Sequence, residues 1–441
     1  MIQLSDHFTY KKLLRYTLPS IVMLIVTSIY GVIDGLFVSN FVGKTAFAAV
    51  NFILPFLMIL GGFGLMFGTG GGALIAKTVG EGEKEEANRI FSSNVYISIA
   101  FGILLLILGN ILLRPVAVLL GAEGQLLEDS IIYGRVYLLG VPACMLQYQF
   151  QCLFATAEKP NLGLYVTAAA GITNIVLDAL FVAVLPGGLI GAAAATVISQ
   201  CVGGIVPLIY FGRKNSSLLR LVKTSLNINA LKKTCFNGSS ELLNNISISI
   251  VGMLYNVQLL KYAGEDGVAA YGVMMYVSLI FTGLFIGYAI GVSPIISYHY
   301  GAQNLDELKS LLRKSFMIIL CFAVMMFGAA LLLAKPLSII FVGYDATLMQ
   351  MTLHGFFIFS FSFLFAGFAI LGSSFFTALN DGLVSAIISF LRTLVFQIAA
   401  VLIFPYIWEL DGIWISTVIA EAMATIVALF FIIGNRKKYQ Y

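Results

Sequence analysis

Two carboxylates, Asp34 and Asp178, stand inside long apolar stretches of this chain. An ionised carboxylate at mid-bilayer depth costs at least about 2.5–3.5 kcal/mol, so such a group turns toward a bundle interior or a wet cavity, where it can hold a proton or a cation. Asn174 lies four residues before Asp178 and therefore on the same helix face, where its amide can donate to the carboxylate or its carbonyl oxygen can bind a cation. Two nearby carboxylates repel, so the pair is expected to keep one proton or to bind Na⁺. The plainer alternative is that these groups hydrogen-bond between helices and staple them. Gln147 and Gln151, again four apart, either line the same polar cavity or join helices through amide bonds. Glu241 is either a wetted helix start or a functional acid, and with the two glutamines it is a possible substrate-cavity residue. Arg392 and Glu421 each need a partner in hydrocarbon and are expected to pair, unless Arg392 snorkels to the interface.

The elements that must position these groups follow from composition. Of 441 residues, 60% are hydrophobic and 10% charged, against about 25% charged in ordinary soluble domains. At about 1.5 Å per residue, about 20 apolar residues cross a bilayer core. Charge-poor windows predict twelve transmembrane helices at 16–41, 48–79, 93–121, 130–157, 163–185, 188–212, 236–262, 269–300, 314–343, 350–379, 384–407 and 410–434. The fold class is therefore all-α integral membrane. Counted from their inner ends, Asp34 and Asp178 lie roughly 27 and 22 Å deep, both in the outer half. No removable leader is expected, because the start carries Lys11, Lys12 and Arg15 but no short apolar core before a small-residue cleavage site. The five cysteines show no metal-ligand spacing and read as buried small apolar residues. Placing both termini inside puts 19 of the 25 Lys and Arg on that side. Lys44, Arg114, Arg135, Lys261 and Lys335 fall outside, and the positive-inside rule favours this topology.

Sliding the sequence along itself by 221 positions aligns Gly43 with Gly264, Gly70 with Gly291, Gly80 with Gly301, Glu86 with Glu307, Pro115 with Pro336, and Thr196-Val197-Ile198 with Thr417-Val418-Ile419. Each copy holds an even number of spans, so the two are parallel repeats. Three units are expected: a six-helix lobe over 1–212, a cytoplasmic linker over 213–235 and a second six-helix lobe over 236–441. Repeats of this kind place a substrate site between lobes that move against each other. The positions paired with Asp34 and Asp178 are Tyr255 and Ala399, so the second copy has lost both acids.

Six plus six helices in parallel repeat, Leu18-Pro19 opening the first span, Asp34 late in it, the run Gly68-Thr69-Gly70-Gly71-Gly72-Ala73 and the turns Gly80-Glu81-Gly82 and Gly301-Ala302-Gln303-Asn304 together resemble the multidrug and toxin extrusion (MATE) family. The resemblance implies an exporter of drugs or other small, often cationic and amphipathic molecules. Such an exporter works by alternating access and is driven by H⁺ or Na⁺. Asp34, Asn174, Asp178 and Thr196 match, position by position, the cation site of members coupled through the N-terminal lobe. Members coupled through the other lobe use a Glu on helix seven, which Glu241 could match, and an Asp on helix ten, where this chain has no acid. The expected partners are small-molecule substrates and membrane lipid, with no nucleic acid. The expected state is a monomer in the cell (inner) membrane. No GxxxxGK[ST], HExxH or GxSxG is present, so neither ATP hydrolysis nor a membrane hydrolase is supported. A lipid-linked precursor flippase of the same superfamily and an integral membrane lipid enzyme are the alternatives.

Overall fold

A computed structural model of the chain describes residues 2–343 and 345–441, with all their side chains except those of Lys44, Glu265, Ile340 and Phe341. Lys44, counted above among the outer bases, thus has its side chain outside the described residues. Among the described residues there are helices and no strands, as expected where hydrocarbon leaves backbone groups no partner but each other.

Among the described residues ten helices are long and apolar enough to cross a membrane, and two bent pairs, each counted as one span, bring the number to twelve. They are α1 (Tyr10–Val42), α2 (Thr45–Gly80), α3 (Lys84–Leu119), α4 (Gly124–Leu139 with Val141–Thr156), α5 (Pro160–Val184), α6 (Gly188–Gly212), α7 (Ile228–Gly264), α8 (Asp266–Gly301), α9 (Leu305–Ile339), α10 (Ala346–Ser360 with Phe363–Ala378), α11 (Gly382–Ile403) and α12 (Pro405–Tyr439). Helices four and ten are not straight spans. Their limbs bend by 59° and 45°, at places that correspond under the 221 register. In α4 the bend falls at Gly140 and Pro142, and proline removes a backbone donor. In α10 the Ser360 hydroxyl bonds back to the Phe356 carbonyl at 2.6 Å, a bond that competes with the helix ladder and bends it.

Several helices begin well before their apolar windows. α7 starts at Ile228 rather than 236 because the Asn227 side chain accepts the Ala230 N–H at 3.0 Å, and α9 starts at Leu305 rather than 314 because Asn304 caps it in the same way. Hydropathy marks the immersed part of a helix, whereas capping sets its true end. Gly43 and Gly264, which correspond under the register, have φ of 122° and 63°. Each makes the turn from the first helix of its lobe into the second, in a backbone region that favours glycine.

The two six-helix lobes meet through glycines at the face that carries both termini. A methyl group added at Gly80 would lie 2.1 Å from the Tyr298 carbonyl, and one at Gly301 would lie 2.1 Å from the Lys77 carbonyl. The same crossed relation holds for Gly70, 2.2 Å from the Thr234 carbonyl, and for Gly291, 3.0 Å from Thr17 Cα. Thus α2 meets α8 at Gly80 and Gly301, α2 meets α7 at Gly70 and α1 meets α8 at Gly291, with backbones in direct contact as in small-residue helix packing. Toward the opposite face Gly31, Gly252 and Gly272 would meet nothing within 4 Å. A crevice of about 490 Å³ opens there between Asn51, Phe52, Pro55 and Met58 of α2 and Ile248, Ser249, Gly252 and Asn256 of α7.

Gly80→Ala and Gly301→Ala should each lower stability by about 1–3 kcal/mol, the range of overpacking, whereas Gly31→Ala and Gly252→Ala should leave it unchanged or raise it slightly. Thermal unfolding of the four variants in one detergent checks this. Equal melting temperatures for both pairs would contradict the seam described here.

Candidate functional site

Inside the N-terminal lobe, α1 presents a polar stripe of Thr27, Tyr30 and Asp34, spaced so that all three share one helix face. Gln151 of α4 donates to Thr27 Oγ1 at 3.5 Å, and Gln147 donates to the Tyr30 hydroxyl at 3.3 Å. Both glutamines are buried, and their amides tie α4 to α1 within the lobe. At the top of the stripe, Thr196 Oγ1 of α6 lies 3.4 Å from Asp34 Oδ1 and also bonds back to the Ala192 carbonyl at 3.1 Å. Asp178 and Asn174 of α5 complete the surroundings of the Asp34 carboxyl. The structure therefore gathers Asp34, Asn174, Asp178 and Thr196 from three helices.

The backbone around these residues is irregular. The C-terminal end of α1, Val38–Val42, and that of α5, Ala179–Val184, are both wound as π-helix, and the second begins immediately after Asp178. Such wide turns recur at functional sites. Asp34 is half-buried, whereas Asn174 and Asp178 are 1% and 0% exposed. No side-chain nitrogen or oxygen of Asn174 or Asp178 completes a hydrogen bond of regular geometry, although both groups turn toward the Asp34 carboxyl. A buried carboxylate and amide left without regular hydrogen bonds are costly, and a proton shared between the carboxyls, or a cation among these oxygens, would relieve that cost.

Tyr133, on the first limb of α4, was absent from the sequence-derived set. It is 1% exposed and stands beside Thr196, with Asp34 and Asp178 as its charged neighbours. The signal for it was available: Tyr133 and Tyr137 lie four apart in a largely apolar helix and so share a face.

Glu241 has different surroundings. It is half-buried on α7, where its neighbours are Arg392, Asn244 and Cys152. Arg392 itself pairs with Glu421, Nε to Oε2 at 2.8 Å, with side chains only 13% and 8% exposed, so the expected ion pair between α11 and α12 is formed. In place of the Asp34 site, the C-terminal lobe has a neutral cluster. The Tyr255 hydroxyl donates to Gln397 Oε1 at 2.9 Å and lies 3.0 Å from Thr417 Oγ1.

A family model described as MatE matches the chain over residues 19–180 and 242–404. Among curated proteins, the multidrug export protein MepA of Staphylococcus haemolyticus is 24% identical over 431 residues, covering 97% of this chain and 94% of that one. MepA of Staphylococcus aureus is 24% identical over 427 residues, covering 96% and 93%. Among solved structures, an outward-facing multidrug resistance MATE family transporter of the MOP superfamily superposes with a TM-score of 0.93 at 23% identity, covering 98% and 97% of the two chains. A MOP superfamily transporter from Pyrococcus furiosus, described as having a binding pocket of reverse polarity, superposes with a TM-score of 0.91 at 23% identity, covering 99% and 98%.

Removing one partner of the buried ion pair strands the other. Arg392→Met should therefore destabilise the protein by about 3–5 kcal/mol, and Arg392→Met/Glu421→Leu should recover most of that loss. Unfolding of both variants in detergent checks this. A double variant no more stable than the single one would mean that Arg392 acts elsewhere.

Proposed function

Because the chain belongs to the MatE family, whose members are transporters rather than enzymes, we propose that this multi-pass membrane protein is a cation-coupled antiporter exporting small, often cationic and amphipathic molecules by alternating access. The observation that carries the reading is the gathering of Asp34, Asn174, Asp178 and Thr196, with the buried polar atoms of Asn174 and Asp178 lacking a hydrogen bond of regular geometry. Two carboxylates and two neutral oxygens suit Na⁺, and a carboxyl pair sharing one proton suits H⁺.

Either ion cancels charge in the N-terminal lobe. That removes the repulsion between Asp34 and Asp178 and lets α1 repack, shifting the balance between conformations that bind and release the exported molecule. The second lobe, with Tyr255 and Ala399 at the corresponding positions, serves as the pseudo-symmetric wall. The crevice between α2 and α7 supplies an apolar entry to the central space, and Glu241 offers a carboxylate on the facing side of the seam. The charge distribution supports a bacterial inner-membrane orientation with both termini cytoplasmic.

Asp34→Asn and Asp178→Asn should each abolish gradient-driven export while leaving folding intact, and Glu241→Gln should reduce it less. Drug-stimulated counterflow of H⁺ or Na⁺ in proteoliposomes measures this and identifies the ion. If both asparagine variants exported like the parent while Glu241→Gln was inactive, coupling would belong to the C-terminal lobe. Counterflow stimulated only by lipid-linked substrates would instead make the protein a flippase.

A further inference from the structure

The residues ahead of α1 are packed against the protein, at the face where the lobes touch. Leu4 and Phe8 are fully buried, and the segment they belong to holds both lobes. On the N-terminal lobe, the Leu4 N–H donates to Glu158 Oε1 at 2.7 Å, in the turn between α4 and α5. On the C-terminal lobe, Glu307 in the first turn of α9 accepts the Phe8 N–H at 2.9 Å, and its second oxygen lies 2.6 Å from His7 Nδ1. Lys314 of α9 donates to the Phe8 carbonyl. The Phe8 ring stands edge-on to Tyr16 of α1 and to His299 of α8.

Under the 221 register Glu307 corresponds to Glu86, which plays a crossed and weaker part. Asn227, the N-cap of α7, reaches Glu86 at 3.4 Å on an exposed surface. Each lobe thus uses a carboxylate at the start of its third helix to reach the segment leading into the first helix of the other lobe. A contact made only to finish a helix end would stay within its own lobe. Because these cross the seam, they are strained or broken whenever the lobes part at this face.

We propose that residues 4–8, held by Glu158 and Glu307, are the latch of the terminus-bearing gate: the segment keeps the lobes together there while the opposite face is open, and it must release one lobe before this face can open. Glu307 is the positioning residue of the latch, being 6% exposed and engaged by two neighbouring residues at once. The proposal rests on the reading that the lobes rock against each other. It does not depend on which acids hold the ion.

The test joins the two sides covalently. His7→Cys/Glu307→Cys, in a background with the five native cysteines replaced by alanine, is reconstituted with a transported dye, oxidised, and then reduced. Oxidation should lower transport by more than about tenfold, since a gate that cannot open carries no flux, and reduction should restore it. In parallel, spin labels at Glu83 and Gln303, both exposed on this face, report the lobe separation. Glu307→Ala should populate a longer distance absent from the parent, and Glu86→Ala should do so less. Cross-linked protein that transports like its reduced form, or a Glu307→Ala distance distribution identical to the parent's, would overturn the latch. Retained ion coupling in Asp34→Asn and Asp178→Asn alongside a blocking cross-link would instead remove the site assignment and leave the latch standing.

Discussion

Hydrocarbon offers no hydrogen-bond partner, and a backbone or side-chain polar group left alone in it costs several kcal/mol. In this protein many hydroxyls and amides within the spans meet that constraint locally, by donating to the carbonyl four residues earlier. Thr27, Ser28, Thr69, Thr78 and Asn110 all do so. Against that background the groups that do not satisfy themselves become informative. Thr173 bonds back to Ala169, whereas its neighbour Asn174 does not, and neither does Asp178 one turn later. A chain under this constraint keeps such groups where something else completes them.

The duplication separates what packing requires from what chemistry requires. Backbone features repeat under the 221 register: the bends of α4 and α10, the positive-φ glycines at 43 and 264, and the crossed contacts of Gly80 and Gly301. The acids inside the lobes do not repeat. Where one lobe holds Asp34 near Thr196, the other holds Tyr255 bonded to Gln397 and Thr417. The second cluster is neutral and its hydroxyl is engaged, so it demands no ion. Arg392 and Glu421 of that lobe are instead paired with each other. The two copies of the fold thus share a backbone plan and differ in the polar groups placed at the same depth.

Much of this was legible in the residues themselves. Apolar windows located all twelve helices, because immersion in lipid demands apolar length irrespective of fold. The depth and spacing of Asp34, Asn174 and Asp178 brought them to one level, because a helix converts sequence distance into height at a fixed rise. Less legible were features set by tertiary contact. The bend in α10 has no proline to announce it. The early starts of α7 and α9 depend on side-chain caps rather than hydropathy. Tyr133 joins the site only because the first limb of α4 tilts against α6, and Gln147 and Gln151 were ambiguous because an amide suits a wet cavity and a dry interhelical bond equally well. The burial of Leu4 and Phe8 could not be read at all, since a polar stretch before a first span usually lies free.

One helix connects these observations. α1 carries Asp34 near its outer end, the stripe of Thr27 and Tyr30 below it, the seam contacts of Ser20, Ile21 and Thr17 with glycines of α8, and the latch segment ahead of its first turn. Between the latch and the stripe stands Pro19, which gives no N–H to the carbonyl one turn earlier and so leaves a weak point in the ladder. A rigid rod would pass any displacement at Asp34 straight to the seam. The glycine contacts fall on both sides of Pro19, Thr17 below it and Ser20 and Ile21 above it, so α1 is docked on α8 through that point and past it. The docked part of α1 and the stripe that ends at Asp34 thus adjoin on a single helix, with the glycine contacts set between the acid and the segment ahead of the first turn. Any coupling of the proposed kind, between an ion in one lobe and a gate between both, would have to pass along this helix, because among the described residues no other element touches both the acid and the seam glycines named above.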